Sequence, residues 1–167
     1  MRVKSIFFGL FLAVAAAAPF AVGLHHAPVY DDHGVLAENP FLDRADAWSR
    51  VLTFSTLRDP DVIDGQRPVV IASYLVDRFL WGAWMPGYRL FNLFLHGLAA
   101  VLVWGLVRAL PGWCGVGAAV VALVAAWHPL AVEPVQSPAF REDLLAACGG
   151  LIFLLSAVRG AGAWWAG

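Results

Sequence analysis

Four uncharged apolar runs, divided by short polar breaks and one long mixed stretch, set the pattern of this chain. The first extends from Ser5 to Leu24 (SIFFGLFLAVAAAAPFAVGL), behind Arg2 and Lys4. The second, Leu90 to Val107, lies between Arg89 and Arg108. The third, Trp113 to Leu130, begins after Pro111-Gly112 and ends at His128-Pro129. The fourth, Leu144 to Val158, is bounded by Asp143 and Arg159 and is the shortest. A helix needs about 20 residues to cross a hydrocarbon core of ~30 Å, so each run predicts a transmembrane helix. The stretch 25–88 between the first two runs has its own order. In 41–58, Phe41, Ala45, Trp48, Leu52 and Phe54 recur along one helical side, with Asp43, Arg44, Asp46 and Arg50 elsewhere. This is the amphipathic pattern of a helix lying in the membrane interface. Pro68 to Trp84 is again apolar, but Asp77 and Arg78 interrupt it, which predicts a second helix on or partly in the outer leaflet rather than a span.

Composition agrees. Hydrophobic residues make up 60% of the 167 positions and charged residues 14%, with a mean hydropathy of +0.71. A soluble domain carries about 25% charge, so lipid is the better solvent for these side chains. The formal net charge of -1 excludes the basic surface that a nucleic-acid partner wants. Two cysteines, Cys114 and Cys148, are too few for a disulfide framework.

Charge then predicts sidedness. With a cytoplasmic N-terminus, four spans put Arg2, Lys4, Arg108 and Arg159 inside without an acid among them, as the positive-inside rule expects. All twelve acidic residues then fall outside, including Asp31-Asp32 just beyond the first span. Ala21-Val22-Gly23 resembles a signal-cleavage site, but the apolar run before it exceeds the 7–15 residues of a signal core, which favours a retained span. The predicted fold is an all-α polytopic membrane protein. It is one membrane module over 1–167, with spans at about 5–24, 90–107, 113–130 and 144–158, and interfacial helices at about 41–58 and 68–84 in the outer loop 25–88.

Several groups have the chemistry of a site. Adjacent carboxylates, as in Tyr30-Asp31-Asp32-His33, are suited to accepting a proton or holding a divalent cation. Read alone, the commoner meaning of such a pair is a solvated loop start. The turn between the third and fourth runs carries His128 and Glu133 and is followed by Arg141-Glu142-Asp143. Read alone, Glu142 and Asp143 favour the positive end of the fourth helix. Asn92 and His96, four residues apart, share a face of the second span, where polar groups turn towards the bundle interior. His25, His26, His33, His96 and His128 also raise a metal or haem reading, for which one histidine per helix is weak support.

The order of these pieces is more specific than any one of them. A span is followed by Tyr30-Asp31-Asp32, a long loop, Arg67-Pro68, and Gly87-Tyr88-Arg89-Leu90-Phe91-Asn92-Leu93-Phe94-Leu95-His96. Then come His128-Pro129 with Glu133 and Val135, and Arg141-Glu142-Asp143-Leu144-Leu145. The arrangement resembles the N-terminal membrane portion of the transmembrane-and-tetratricopeptide-repeat O-mannosyltransferase-like proteins and their bacterial relatives, within the GT-C superfamily of integral-membrane glycosyltransferases. It covers about residues 5–158. The resemblance implies a polyprenyl- or dolichyl-phosphate sugar donor, transfer on the outer face, and Asp31 and Asp32 as the catalytic centre, one of them acting as general base. It implies Arg141 on the departing lipid phosphate, Arg67 as another loop or phosphate contact, and His128, Glu133 and Glu142 lining the same cavity. His96 and Asp143 complete the candidate substrate-binding set, and a divalent cation at Asp31-Asp32 is the one candidate cofactor.

Two departures stand out. The second-loop motif reads Arg-Glu-Asp where Arg-Ala-Asp is expected, and four predicted spans are fewer than the superfamily uses, with no 34-residue helical repeat. The expectation is a front module that needs a further polypeptide or a missing C-terminal region, with a non-catalytic membrane scaffold or pseudoenzyme fragment as the alternative.

Overall fold

The computed structural model describes residues 2–165, and the side chains of residues 3–160. Arg2, as a charge, and the C-terminal Ala166-Gly167 lie outside what is described. Every regular element among the described residues is helical.

Helix α1 (Arg2–Ala17) ends where Pro19, without an N–H, enters a 3-10 turn over Ala18–Gly23. The long loop 25–67 follows as short pieces: a π-type turn at His33–Ala37, a 3-10 turn at Pro40–Asp43, helix α2 (Ala47–Leu52) and a 3-10 turn at Ser55–Arg58. The single amphipathic helix expected over 41–58 is therefore replaced by three fragments. The first is started by Asn39, whose Oδ1 accepts the Phe41 N–H at 3.0 Å, and Phe54 breaks the run at φ +56°. A non-glycine residue there opposes helix continuation.

Helix α3 (Pro68–Trp81) starts on a proline and stops at Gly82, φ +58°. Helix α4 (Met85–Ala109) follows, then α5 (Gly115–Ala126), α6 (Val132–Gln136) and α7 (Arg141–Trp165). Helix α4 is the hub, packed by α1, α5 and α7. Three segments, Val3–Gly23, Met85–Ala109 and Pro138–Gly160, are long and apolar enough to cross a membrane. The run 113–130 is not one straight rod. Helix α5 stops at Ala126, and beyond His128-Pro129 the chain re-forms as Pro129–Gln136, bent by 60°. Counted together they make a fourth candidate span, broken where proline removes a backbone donor.

Small residues set the helix contacts. A Cβ on Gly97 would lie 3.0 Å from the Ala13 carbonyl oxygen, so α1 and α4 touch backbone to side chain. Ala16, Ala100 and Ala126 meet in one cluster, while Leu12 packs with Trp104, Ala118, Ala119 and Ala122 in another. The outward faces are apolar as well, with Phe7, Phe11 and Val14 on α1 each about two-thirds exposed. That inside-and-out hydrophobicity belongs to membrane helices. A separate core, built from Leu36, Phe41, Val51, Ile71, Tyr74, Leu75 and Tyr88, holds this long loop and α3 against the start of α4.

Candidate functional site

The paired aspartates are not equivalent. Asp32 is fully buried and Asp31 is exposed. Tyr30, at φ +46°, makes the left-handed turn that precedes them. Such a conformation costs a tyrosine about 1–3 kcal/mol and persists only where its surroundings impose it. Those surroundings are the bonds to Asp32. Its Oδ1 accepts the Ser137 hydroxyl at 2.7 Å and the Ala139 backbone N–H at 3.1 Å, and its Oδ2 accepts the Val29 N–H at 3.3 Å. Arg89 Nη2 stands 3.8 Å from Oδ2. Residues over 100 positions apart are thereby joined at the end of the bundle where α4 and α7 begin.

Arg89 binds the segment that follows α1. Its guanidinium donates to the carbonyls of Leu24 (3.2 Å), His26 and Ala27 (3.0 Å), and its Nε to the Gln136 carbonyl (3.0 Å). Gln136 in turn donates to the Phe20 carbonyl at 2.7 Å, and its amide lies where a Cβ on Gly23 would project, so a larger residue there would displace it.

A second buried arginine lies behind this layer. Arg141 Nε donates to Asn92 Oδ1 at 2.8 Å, Nη1 to the Ser73 hydroxyl at 3.1 Å and Nη2 to the Tyr88 carbonyl at 3.0 Å. The guanidinium is sandwiched between the rings of Tyr74 (4.9 Å) and Phe91 (4.8 Å) and pairs with Asp77 Oδ2 at 2.5 Å. That contact is ionic: neither Asp77 oxygen accepts a hydrogen bond of regular geometry. Burial outweighs the neighbouring Arg141 and pushes the Asp77 carboxyl above its ordinary range. Asn92 passes the link on, donating to the Pro134 carbonyl at 2.9 Å, and the Tyr74 hydroxyl donates to the carbonyls of Pro138 (3.0 Å) and Ala139 (3.3 Å). Burial pushes the Tyr74 hydroxyl well up, so it remains a donor at any ordinary pH.

Beside the Asp32 turn is a cavity of about 230 Å³ whose lining includes His26, Tyr30, Glu133, Gln136, Ser137 and Phe140. Its lining carries a carboxylate, an amide, a hydroxyl, an imidazole, the Arg89 guanidinium and aromatic surface.

Comparison with known families, curated proteins and solved structures finds no match. The site is therefore read from its own geometry. Of the residues singled out from sequence, the structure brings Asp31, Asp32 and Glu133 to this one region. Arg141 is completely buried, so the contact with a lipid phosphate implied by the resemblance is replaced by a structural one. Arg67 is half-exposed and bridges Asp64 (3.1 Å) and Glu142 (2.9 Å). Asp143 is exposed in the first turn of α7. His96 is buried edge-on against Phe20 at 4.9 Å, and His128 caps its own turn by accepting the Leu130 N–H at 3.3 Å. Neither lines the cavity.

The residues present do not build a divalent-cation cage. Asp32 spends its oxygens on protein donors, and no group of three His, Cys, Asp or Glu side chains converges among the described residues. The haem or metal reading of the histidines gains no support from this placement. Ser137, central to the site, carried no signal of its own in the sequence. Arg89 reads there as the charged border of an apolar run and as part of the 87–96 motif, without a site role.

Proposed function

We propose that this chain is the N-terminal portion of an integral-membrane glycosyltransferase of the GT-C type, acting with further polypeptide. Transfer takes place on the face where α4 and α7 begin, which is the outer face if the N-terminus is cytoplasmic. The division of labour between the two aspartates carries the reading: Asp32 is locked by Ser137, Ala139 and Arg89, while Asp31 is exposed with no protein partner among the described residues, one position beyond Tyr30, which lines the cavity.

In this scheme Asp31 is the general base. It takes the proton of an acceptor hydroxyl as that oxygen attacks the anomeric carbon of a polyprenyl-phosphate sugar. The bond from the anomeric carbon to the phosphate oxygen breaks, and the phosphate leaves with the electron pair. Asp32 is a positioning residue. Glu133, Gln136 and Ser137 supply hydrogen bonds for sugar hydroxyls, and Arg67, half-exposed and paired with Glu142, is the candidate cation for a phosphate. Assay of the complete assembly in membranes with a radiolabelled polyprenyl-phosphate hexose tests this: Asp31→Asn abolishes transfer while insertion persists.

The scaffold reading has one observation of its own. Every partner of Asp32 is a structural group of this chain, as in a loop that only needs to fold. On that reading Asp31→Asn changes nothing.

A further inference from the structure

Helix α3 is built the wrong way round for water. At about 100° per residue, Val69, Ala72, Val76, Phe79 and Leu80 fall on one arc. The opposite arc carries Val70, Ile71, Tyr74, Leu75 and both charged residues, Asp77 and Arg78. The second arc is the one that packs inward: Asp77 meets Arg141, and Arg78 forms a two-pronged pair with Asp43 at 2.8 and 2.7 Å. The first arc faces out and has no charge, with Val69 68% and Phe79 84% exposed. A helix exposed to water puts its charges on that side.

Three features say what covers this arc. Helix α3 runs through a short Gly82-Ala83-Trp84 link into α4, one of the segments apolar enough to span a membrane. At that junction Trp81 and Trp84 sit ring to ring at 5.6 Å, both partly exposed, and such aromatics settle at the headgroup level. Its 14 residues reach only about 21 Å, too short to cross the ~30 Å core.

We propose that the outward arc of α3 is a lipid-binding surface. It seats the helix in one leaflet, and the bilayer thereby clamps the turn that holds Asp32. The inner arc is the other jaw of that clamp: Tyr74 bonds the carbonyls of Pro138 and Ala139, and the Ala139 N–H bonds Asp32. The inference rests on the membrane reading of α1, α4 and α7 and not on any transfer reaction.

Spin labels test it on the full chain in phosphatidylcholine–phosphatidylglycerol vesicles. Single cysteines replace Val76 or Phe79 in a Cys114→Ser, Cys148→Ala background, with Phe7 as the span control and Arg58 as the water control. Labels at both α3 positions are expected to collide with oxygen as the Phe7 label does and to be shielded from a nickel chelate. Nickel access equal to that at Arg58 overturns the proposal in favour of water, and shielding from both reagents overturns it in favour of a covering protein. Nickel access at Phe7 would instead overturn the membrane reading beneath it. For the clamp, Phe79→Asp raises amide exchange of residues 137–140 several-fold in vesicles. Unchanged exchange there, with the label displaced into water, overturns the clamp.

Discussion

Arg141 and Asp77 form an ion pair at 2.5 Å that is almost wholly removed from water, between helix α3 and the first turn of α7. Such a pair is costly to bury and more costly to break, because a lone buried charge is left behind. The raised Asp77 value expresses the first half of that balance, and the five other partners of Arg141 explain why the site retains it.

Asp77→Ala is therefore expected to destabilise the outer layer by about 3–5 kcal/mol. The double variant Asp77→Leu/Arg141→Met recovers much of that loss. Thermal unfolding in detergent measures both, and a double variant as unstable as the sum of its singles contradicts the account.

The contact between α1 and α4 depends on one missing side chain. Gly97→Val forces Ala13 away and lowers stability by an amount comparable with other overpacked sites, about 1–3 kcal/mol, read as a lower unfolding temperature in detergent. Gly149→Ala, in open space on α7, is the control, and helix propensity makes it neutral or stabilising by up to about 1 kcal/mol.

The loop between α1 and α3 carries a pH dependence of definite sign. The Asp61 backbone N–H and then Arg50 hold the Asp59 carboxyl below its ordinary range. A depressed folded value gives stability that is present above the ordinary carboxylate value of about 4. That stability is lost as pH falls through the folded value. Asp77, with a raised value, has the opposite sign: its contribution is complete below about 4 and is lost as pH rises through its folded value. Amide exchange of residues 50–61 is expected to increase on acidification, and Asp59→Asn flattens the change.

Much of the helical framework was legible because apolar runs bounded by Arg89, Arg108, Asp143 and Pro111-Gly112 announce themselves locally. Asn92 was legible for the same reason, as a polar group in an apolar helix whose bond to Arg141 now accounts for it. The breaks at Asn39-Pro40 and Phe54 were less so, since side-chain periodicity survives a helix cut into turns. The pairings of Asp32 with Ser137, Arg89 with the carbonyls after α1, and Asp77 with Arg141 were not legible at all. They join residues 62 to 105 positions apart, and no local pattern encodes which distant partner a buried charge will meet.

Ser137 is the most conservative test of how Asp32 is held. Ser137→Ala removes a hydroxyl donor at 2.7 Å from a carboxylate, a bond in the class worth about 1.5–3 kcal/mol. The loosened turn should raise amide exchange at Asp32 and His33, whose N–H groups donate to the carbonyls of Val29 and Tyr30. Ser137→Thr, which keeps the hydroxyl, should not.

The central claim is that Asp31 acts on a substrate while Asp32 only holds it in place. The direct measurement is hexose transfer from a radiolabelled polyprenyl-phosphate donor by the complete membrane assembly, comparing wild type, Asp31→Asn and Asp32→Asn at equal inserted amounts. The account predicts that Asp31→Asn abolishes transfer with unfolding temperature unchanged, while Asp32→Asn lowers both. Full transfer by Asp31→Asn, or loss of stability in that variant equal to the loss in Asp32→Asn, would contradict it.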